Sequence, residues 1–245
     1  MLRISIVIPA WNEAERLPHL LDSIDAARAR WLASGRNADS VEVIVADNGS
    51  TDATASLAAM RDCQVVAVEK RVIAAARNGG AAVARGEILC FIDADSVLHP
   101  DSLVAVDAAM NLPRTLGGAT GVTMERWSLG IAAVYALMLP TVWLTRFDTG
   151  LVFWRRADFE QLGGYDECRR VAEDVDFLWR LRRLGVERGQ RLRRLRGVKA
   201  VTSTRKFDVH GDWHWFTQLP RLLWQLLRNR RAFDDFVQRY WYGGR

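Results

Sequence analysis

Glu87-Ile88-Leu89-Cys90-Phe91-Ile92-Asp93-Ala94-Asp95-Ser96 is the stretch whose reading decides the fold. The apolar run Ile88 to Ile92 reads as a buried strand. It runs straight into two aspartates one residue apart. In an extended segment, side chains at i and i+2 point the same way, so Asp93 and Asp95 are expected to aim together. Two such carboxylates repel each other unless a proton or a cation sits between them. Hard divalent cations such as Mg²⁺ and Mn²⁺ accept oxygen ligands of this kind and usually share them with substrate phosphates. Alone, a D-x-D is more often a polar turn after a core strand, so the rest of the chain has to decide between the two readings.

Working back, Ile4 to Ile8 is a β-branched run ending at Pro9, a buried strand with Trp11, Asn12 and Glu13 at its carboxyl end. Leu17, Leu20, Leu21, Ile24 and Trp31 recur at helical spacing up to Gly35. Val41 to Ala46 is a second strand. It ends in Asp47-Asn48-Gly49-Ser50-Thr51-Asp52, whose last residues cap a helix reaching Met60. Gln64 to Val68 is a third strand, and Ile73 to Ala84 an alanine-rich helix interrupted by Gly79-Gly80. This β-α-β-α-β-α-β order predicts an α/β fold with a mainly parallel, doubly wound, Rossmann-like sheet. Ligands bind such sheets beyond the carboxyl ends of the strands. The polar clusters after strands one, two and four therefore converge on one edge, which promotes the aspartate pair. No G-x-G-x-x-G follows the first strand, which argues against a nicotinamide or flavin enzyme.

After Pro100 the regularity loosens. Helices are expected over Asp101 to Met110, Leu129 to Leu144 and Asp158 to Leu162, and strands over Leu116 to Met124 and Thr149 to Arg156. Glu173-Asp174 opens a helix with apolar face Phe177, Leu178, Leu181 and Leu184, expected to stop at Gly185. A carboxylate there is stabilised as an anion by the helix N-terminus. It serves either as a cap or as a general base within reach of a hydroxyl. The change of pattern near residue 100 predicts one domain, 1–245, of two lobes, 1–99 and 100–245, sharing one core.

Lys and Arg number 34 against 29 Asp and Glu, a net charge of +5, which suits a polyanionic ligand or an acidic membrane surface without requiring either. The three cysteines show neither a disulfide framework nor a zinc spacing, so a reducing, cytoplasmic setting is expected. The first residues lack the long apolar core of a signal peptide. Leu129 to Leu144 falls short of the roughly 20 residues a span needs and contains Gly130 and Pro140, so it reads as a buried or interfacial helix.

Five stretches in order resemble the motifs of family 2 glycosyltransferases. They are Val7-Ile8-Pro9-Ala10-Trp11-Asn12-Glu13, Ala46 to Asp52, Ala76-Arg77-Asn78-Gly79, Asp93-Ala94-Asp95, and Gly163-Gly164-Tyr165-Asp166-Glu167 followed by Ala172-Glu173-Asp174-Val175-Asp176. The resemblance covers about residues 4 to 185 and implies an inverting enzyme of the GT-A fold. Such an enzyme takes a nucleotide-diphosphate sugar (a UDP- or GDP-sugar), uses Mn²⁺ or Mg²⁺, and acts on an acceptor the sequence does not identify. It further implies that 1–99 holds the donor and 100–245 the acceptor. Pro9, Ala10, Trp11 and Glu13 would line the base and ribose pocket, with Trp11 where Tyr is usual. Asp47 would read the base edge, and Arg77 and Asn78 would lie near base or phosphates. Asp95 would ligate the metal, Asp93 would contact ribose or the metal through water, Ala94 would sit between them, and Asp174 would be the base.

Weaker features keep two readings each. Arg205, in Thr204-Arg205-Lys206-Phe207, pairs with the diphosphate or is a strand-end charge. His210 is a further metal ligand or a structural histidine. The basic run Arg188 to Lys199 is a solvated face or edge strand, or attracts anionic lipid. The aromatic stretch from Trp213 to Leu227 packs on the core or on a second subunit as a homodimer contact, or lies on the inner face of a membrane. No nucleic-acid module is present. Rival functions are a non-catalytic nucleotide-sugar-binding domain of the same fold and a nucleotidyltransferase. A Gly-rich, Lys-bearing phosphate loop, which the latter would favour, is missing after strand one.

Overall fold

The structure, a computed structural model, describes residues 2–145, 148, 150–169 and 172–216. These fall into two compact units, one built from residues up to 123 and from 146–202, the other from 124–145 and from 203 onward.

The first unit is built on an eight-stranded sheet. Its strands are β1 (Ile4–Ala10), β2 (Val41–Asp47), β3 (Gln64–Ala67), β4 (Ile88–Phe91), β5 (Ser96–Val97), β6 (Thr115–Met124), β7 (Val152–Arg155) and β8 (Arg191–Thr202), in the order β3-β2-β1-β4-β7-β6-β8-β5. β1 pairs parallel with β2 and β4, and β2 parallel with β3, as the sequence predicts. Beyond β4 the sheet continues antiparallel: Leu89 faces Trp154 across β4–β7, Gly118 faces Phe153 across β6–β7, and Ser96 faces Thr202 across β5–β8.

The helices are α1 (Leu17–Ala33), α2 (Thr54–Met60), α3 (Ile73–Val83), α4 (Ser102–Met110), α5 (Leu129–Thr145), α6 (Arg156–Gln161), α7 (Glu173–Glu187) and α8 (Arg205–His210). Within the first unit α1 and α4 lie on one face of the sheet and α3, α6 and α7 on the other, and strand alternation sorts the core accordingly. Ile4, Ile6 and Ile8 of β1, with Ile88 and Cys90 of β4, join the layer under α1 and α4. Val7, Leu89 and Phe91 join the opposite layer with residues of α3, α6 and α7.

Two glycines read as helix breakers have another physical role. α3 runs unbroken through Gly79 and Gly80, and a Cβ on Gly80 would stand 2.4 Å from Val7 Cγ1 and 3.3 Å from Ala46 Cβ. Gly80 is there so that the helix can lie against β1 and β2. Gly80→Ala is therefore expected to cost about 1–3 kcal/mol by overpacking, read as a lower urea midpoint with an unchanged m-value. α7 likewise passes Gly185, where a Cβ would meet Leu116 at 2.8 Å, and ends at Glu187, with Arg188 as its cap before Gly189, which takes the left-handed conformation that stops helices.

In the second unit Arg126 binds Asp208 of α8 and Asp212, and Trp127 meets Tyr135 of α5 edge-on at 5.2 Å. α5 carries no charged residue, and its Leu129, Leu137, Met138 and Leu139 are exposed. No helix among the described residues is long and apolar enough to cross a membrane. The aromatic stretch expected from Trp213 to Leu227 lies outside the described residues beyond Phe216.

Candidate functional site

β4 ends at Phe91, and the aspartates occupy a turn closed by the Ser96 N–H donating to the Asp93 carbonyl at 3.1 Å. The extended geometry expected for the pair is thus replaced by a turn, because β5 starts at Ser96 to pair with β8. Ala94 is buried among the core residues of the α1 side. Asp93 is exposed and Asp95 half-buried.

Under this turn lies a tight aromatic cluster that fixes the site. Phe91 meets Trp154 of β7 at 5.3 Å and Tyr165 edge-on at 5.5 Å. Phe177 of α7 meets Trp154 at 4.7 Å and Tyr165 at 4.9 Å. Phe91 lies two residues before Asp93 and Phe177 three residues after Asp174, so one packed cluster sets the positions of both carboxylates. Asp93, Asp174, Arg77, Asp148, Trp154 and Tyr165 share the wall of one cavity enclosing about 460 Å³, counting solvent at its mouth. The two acidic stretches Asp93–Asp95 and Glu173–Asp174, far apart in sequence, meet at this cavity through Asp93 and Asp174.

Arg77, projecting from α3, is the centre of the electrostatics. Its Nη2 donates to Asp93 Oδ1 at 3.1 Å and its Nη1 to Glu173 Oε1 at 2.8 Å, and its guanidinium lies 5.3 Å from the Tyr165 ring. The Arg77 and Glu173 side chains are only 11 % and 9 % exposed, whereas Asp93 is 52 % exposed. Burial pushes the Glu173 carboxyl above its ordinary range, against the pull of Arg77. Burial opposes the Arg77 charge, yet Asp93 and the other surrounding groups keep that charge firmly in place. Burial likewise pushes the Tyr165 hydroxyl up.

Asp174 sits in the first turn of α7. The preceding Ala172 takes a left-handed φ of 59°, uncommon for a residue with a Cβ, and gives no side-chain cap. Asp174 Oδ1 accepts from the Val175 N–H at 2.8 Å, and the side chain stays half-buried at the cavity wall. Glu173, read with it as one acidic site, turns inward to Arg77 instead.

The segment after β1 is laced to the segment after β2. Asn12, at φ 52°, donates its N–H to Ser50 Oγ at 3.0 Å and accepts from the Thr51 N–H at 2.8 Å. The Glu13 and Ala14 N–H groups donate to Thr54 Oγ1 at 2.8 Å and Asp52 Oδ2 at 3.0 Å. Pro9 and Ala10 are buried, Trp11 and Asp47 half-buried, and Glu13 only 3 % exposed, so Trp11 and Asp47 present more surface to a ligand than Glu13 does.

Asn78, expected near base or phosphates, is engaged by the turn at Tyr165. Its amide donates to the Tyr165 carbonyl at 2.9 Å and to Glu167 at 3.0 Å, and its oxygen accepts from the Tyr165 N–H at 2.9 Å. It clamps the Gly163-to-Glu167 turn to α3. Trp154 and Asp148 enter the cavity wall because β7 adds to β4, a pairing with no local signal in the sequence.

The oxygen donors Asp93 and Asp95 fit a hard cation such as Mn²⁺ or Mg²⁺. Among the described residues no group of three or more His, Cys, Asp and Glu could hold a metal.

The Glycosyl transferase family 2 profile matches residues 5–125, a range that holds β1 to β4 and the Asp93–Asp95 turn. Residues 5–125 thus match glycosyl transferase family 2, and the chain has the GT-A fold. It is 29 % identical over 163 residues to an uncharacterized glycosyltransferase of Mycobacterium tuberculosis, covering 66 % of this chain and 63 % of that one. It thus spans less than two thirds of that relative's length. A mannosyltransferase from Pyrobaculum calidifontis in complex with GDP-Man and Mn²⁺ superposes with a TM-score of 0.62 at 23 % identity, over 81 % of this chain and 56 % of that one. Glucosyl-3-phosphoglycerate synthase from M. tuberculosis in complex with Mn²⁺ and UDP gives 0.55 at 21 %, over 82 % and 71 %.

Proposed function

We propose that this chain transfers a sugar from a nucleoside-diphosphate sugar to an acceptor hydroxyl with inversion, in a divalent-cation-dependent reaction. The observation that carries the reading is that Asp93 and Asp174 wall one cavity. The complexes of its structural neighbours with GDP-Man or UDP and Mn²⁺ support a UDP- or GDP-sugar as the donor class.

Trp11 offers its indole face to the base and Asp47 accepts from the base edge. Pro9, Ala10 and Glu13 shape the wall behind them, with Glu13 holding the loop more than it meets the ribose. Asp93 and Asp95 would hold the cation, which would supply Lewis-acid neutralisation of charge on the diphosphate leaving group. Arg77 holds the Asp93 carboxylate in place. Asp174 takes the proton from the acceptor hydroxyl. One base on the face opposite the leaving group gives a single displacement, hence inversion, without a second carboxylate as nucleophile.

A panel of UDP- and GDP-sugars with Mn²⁺ or Mg²⁺ tests the proposal. Nucleoside diphosphate is expected to appear, with release stopped by a chelator and restored by added cation. Pyrophosphate chemistry would point instead to nucleotidyl transfer, and donor binding without release to a non-catalytic domain.

A further inference from the structure

Resting on that reading, we propose that Arg77 is a positioning residue that couples the cation side of the site to the base side. One guanidinium divides its hydrogen bonds between Asp93, at the cation turn, and Glu173, the first residue of α7.

The two contacts differ in kind. The Arg77–Glu173 pair is nearly sealed from solvent at 2.8 Å, and the Arg77–Asp93 contact is longer, 3.1 Å, to a carboxylate half in water. The buried contact anchors α7 where the helix has no side-chain cap and enters through the left-handed Ala172. The next residue along is Asp174, so what fixes Glu173 fixes Asp174. The exposed contact is the one a cation displaces, because a dication and a guanidinium compete for the same Asp93 oxygens. Drawing charge away from Asp93 leaves Arg77 to Glu173 alone and tightens the anchor of α7. The coupling is reciprocal. Removing the charge on Glu173 leaves Arg77 to Asp93 alone and makes Asp93 a poorer cation ligand.

The experiment is direct Mn²⁺ binding, without donor, to the full chain and to Glu173→Gln, Asp174→Asn, Arg77→Lys and Arg77→Lys/Glu173→Gln, each checked for an unchanged fold by circular dichroism. Asp174→Asn removes one nearby negative charge without touching Arg77, so it measures the plain through-space loss. Glu173→Gln is expected to weaken Mn²⁺ binding by about 5-fold or more beyond that control, within the range of ordinary coupling energies. The excess is expected to shrink when Arg77 is also changed, as a double-mutant cycle requires. Equal weakening by Glu173→Gln and Asp174→Asn would overturn the coupling alone, leaving the cation site standing. No Mn²⁺ binding by the unmodified chain would overturn the cation site and the coupling together. If the Arg77 variant does not fold, the comparison of the two single variants still decides.

Discussion

Asp174→Asn is expected to lower turnover by about 10²–10⁴-fold, the usual contribution of a general base, while donor affinity stays at the level of the unmodified enzyme. The substitution keeps the volume of the side chain and the oxygen that accepts from the Val175 N–H. It removes the negative charge and with it the capacity to take a proton, so donor affinity is compared at saturating Mn²⁺. Glu173 is the nearest rival for the role. It is buried and committed to Arg77 at 2.8 Å, so reaching an acceptor would mean breaking a sealed ion pair. Asp174 needs no such rearrangement. Steady-state rates beside donor titrations check the split. Undiminished turnover would remove Asp174 from the chemistry, and a parallel loss of donor binding would make its role structural.

Arg77→Met is expected to destabilise the fold by about 3–5 kcal/mol, the cost of leaving one member of a buried pair without its partner. Most of the cost falls on Glu173, because Asp93 reaches water. The loss also has a pH signature. Without Arg77, burial, helped by the neighbouring Asp174 and Asp93 charges, holds the folded pKa of Glu173 above the unfolded value. A carboxyl shifted up in this way contributes stability that is fully present below the unfolded pKa of about 4.3 and lost as pH rises through the folded pKa. The gap between Arg77→Met and the unmodified chain is therefore narrow near pH 4 and wide at pH 7. Urea denaturation across that range measures it. A gap that does not change with pH would mean that Glu173 gains nothing from Arg77.

Much of this was legible in the chain because its signals are local. The apolar runs Ile4 to Ile8 and Ile88 to Ile92 announce buried strands, and their alternation sorts side chains between two core layers. The acidic clusters at the strand ends follow from the same order. What sequence does not carry is what depends on distant partners. β5 is two residues long, too short for any periodicity, yet it converts the Asp93–Asp95 segment into a turn. Arg77 and Glu173 stand 96 residues apart, and nothing near either announces their pairing. Asn78 follows Arg77 in the same motif, but the α3 surface sends its amide to the Tyr165 turn. Gly80 and Gly185 look like breaks because composition records the missing Cβ and not the neighbour that requires its absence.

The central claim is that a cation held by the aspartate turn and a base opening α7 act on one donor from two sides. Crystals of Asp174→Asn, in which the donor is not consumed, soaked with a UDP- or GDP-sugar and Mn²⁺, test it most directly. The anomalous peak of Mn²⁺ is expected against Asp93 and Asp95 and touching the diphosphate, with the side chain at position 174 facing the anomeric carbon from the other side. A Mn²⁺ peak or a diphosphate outside the cavity walled by Arg77 and Asp93 would contradict it.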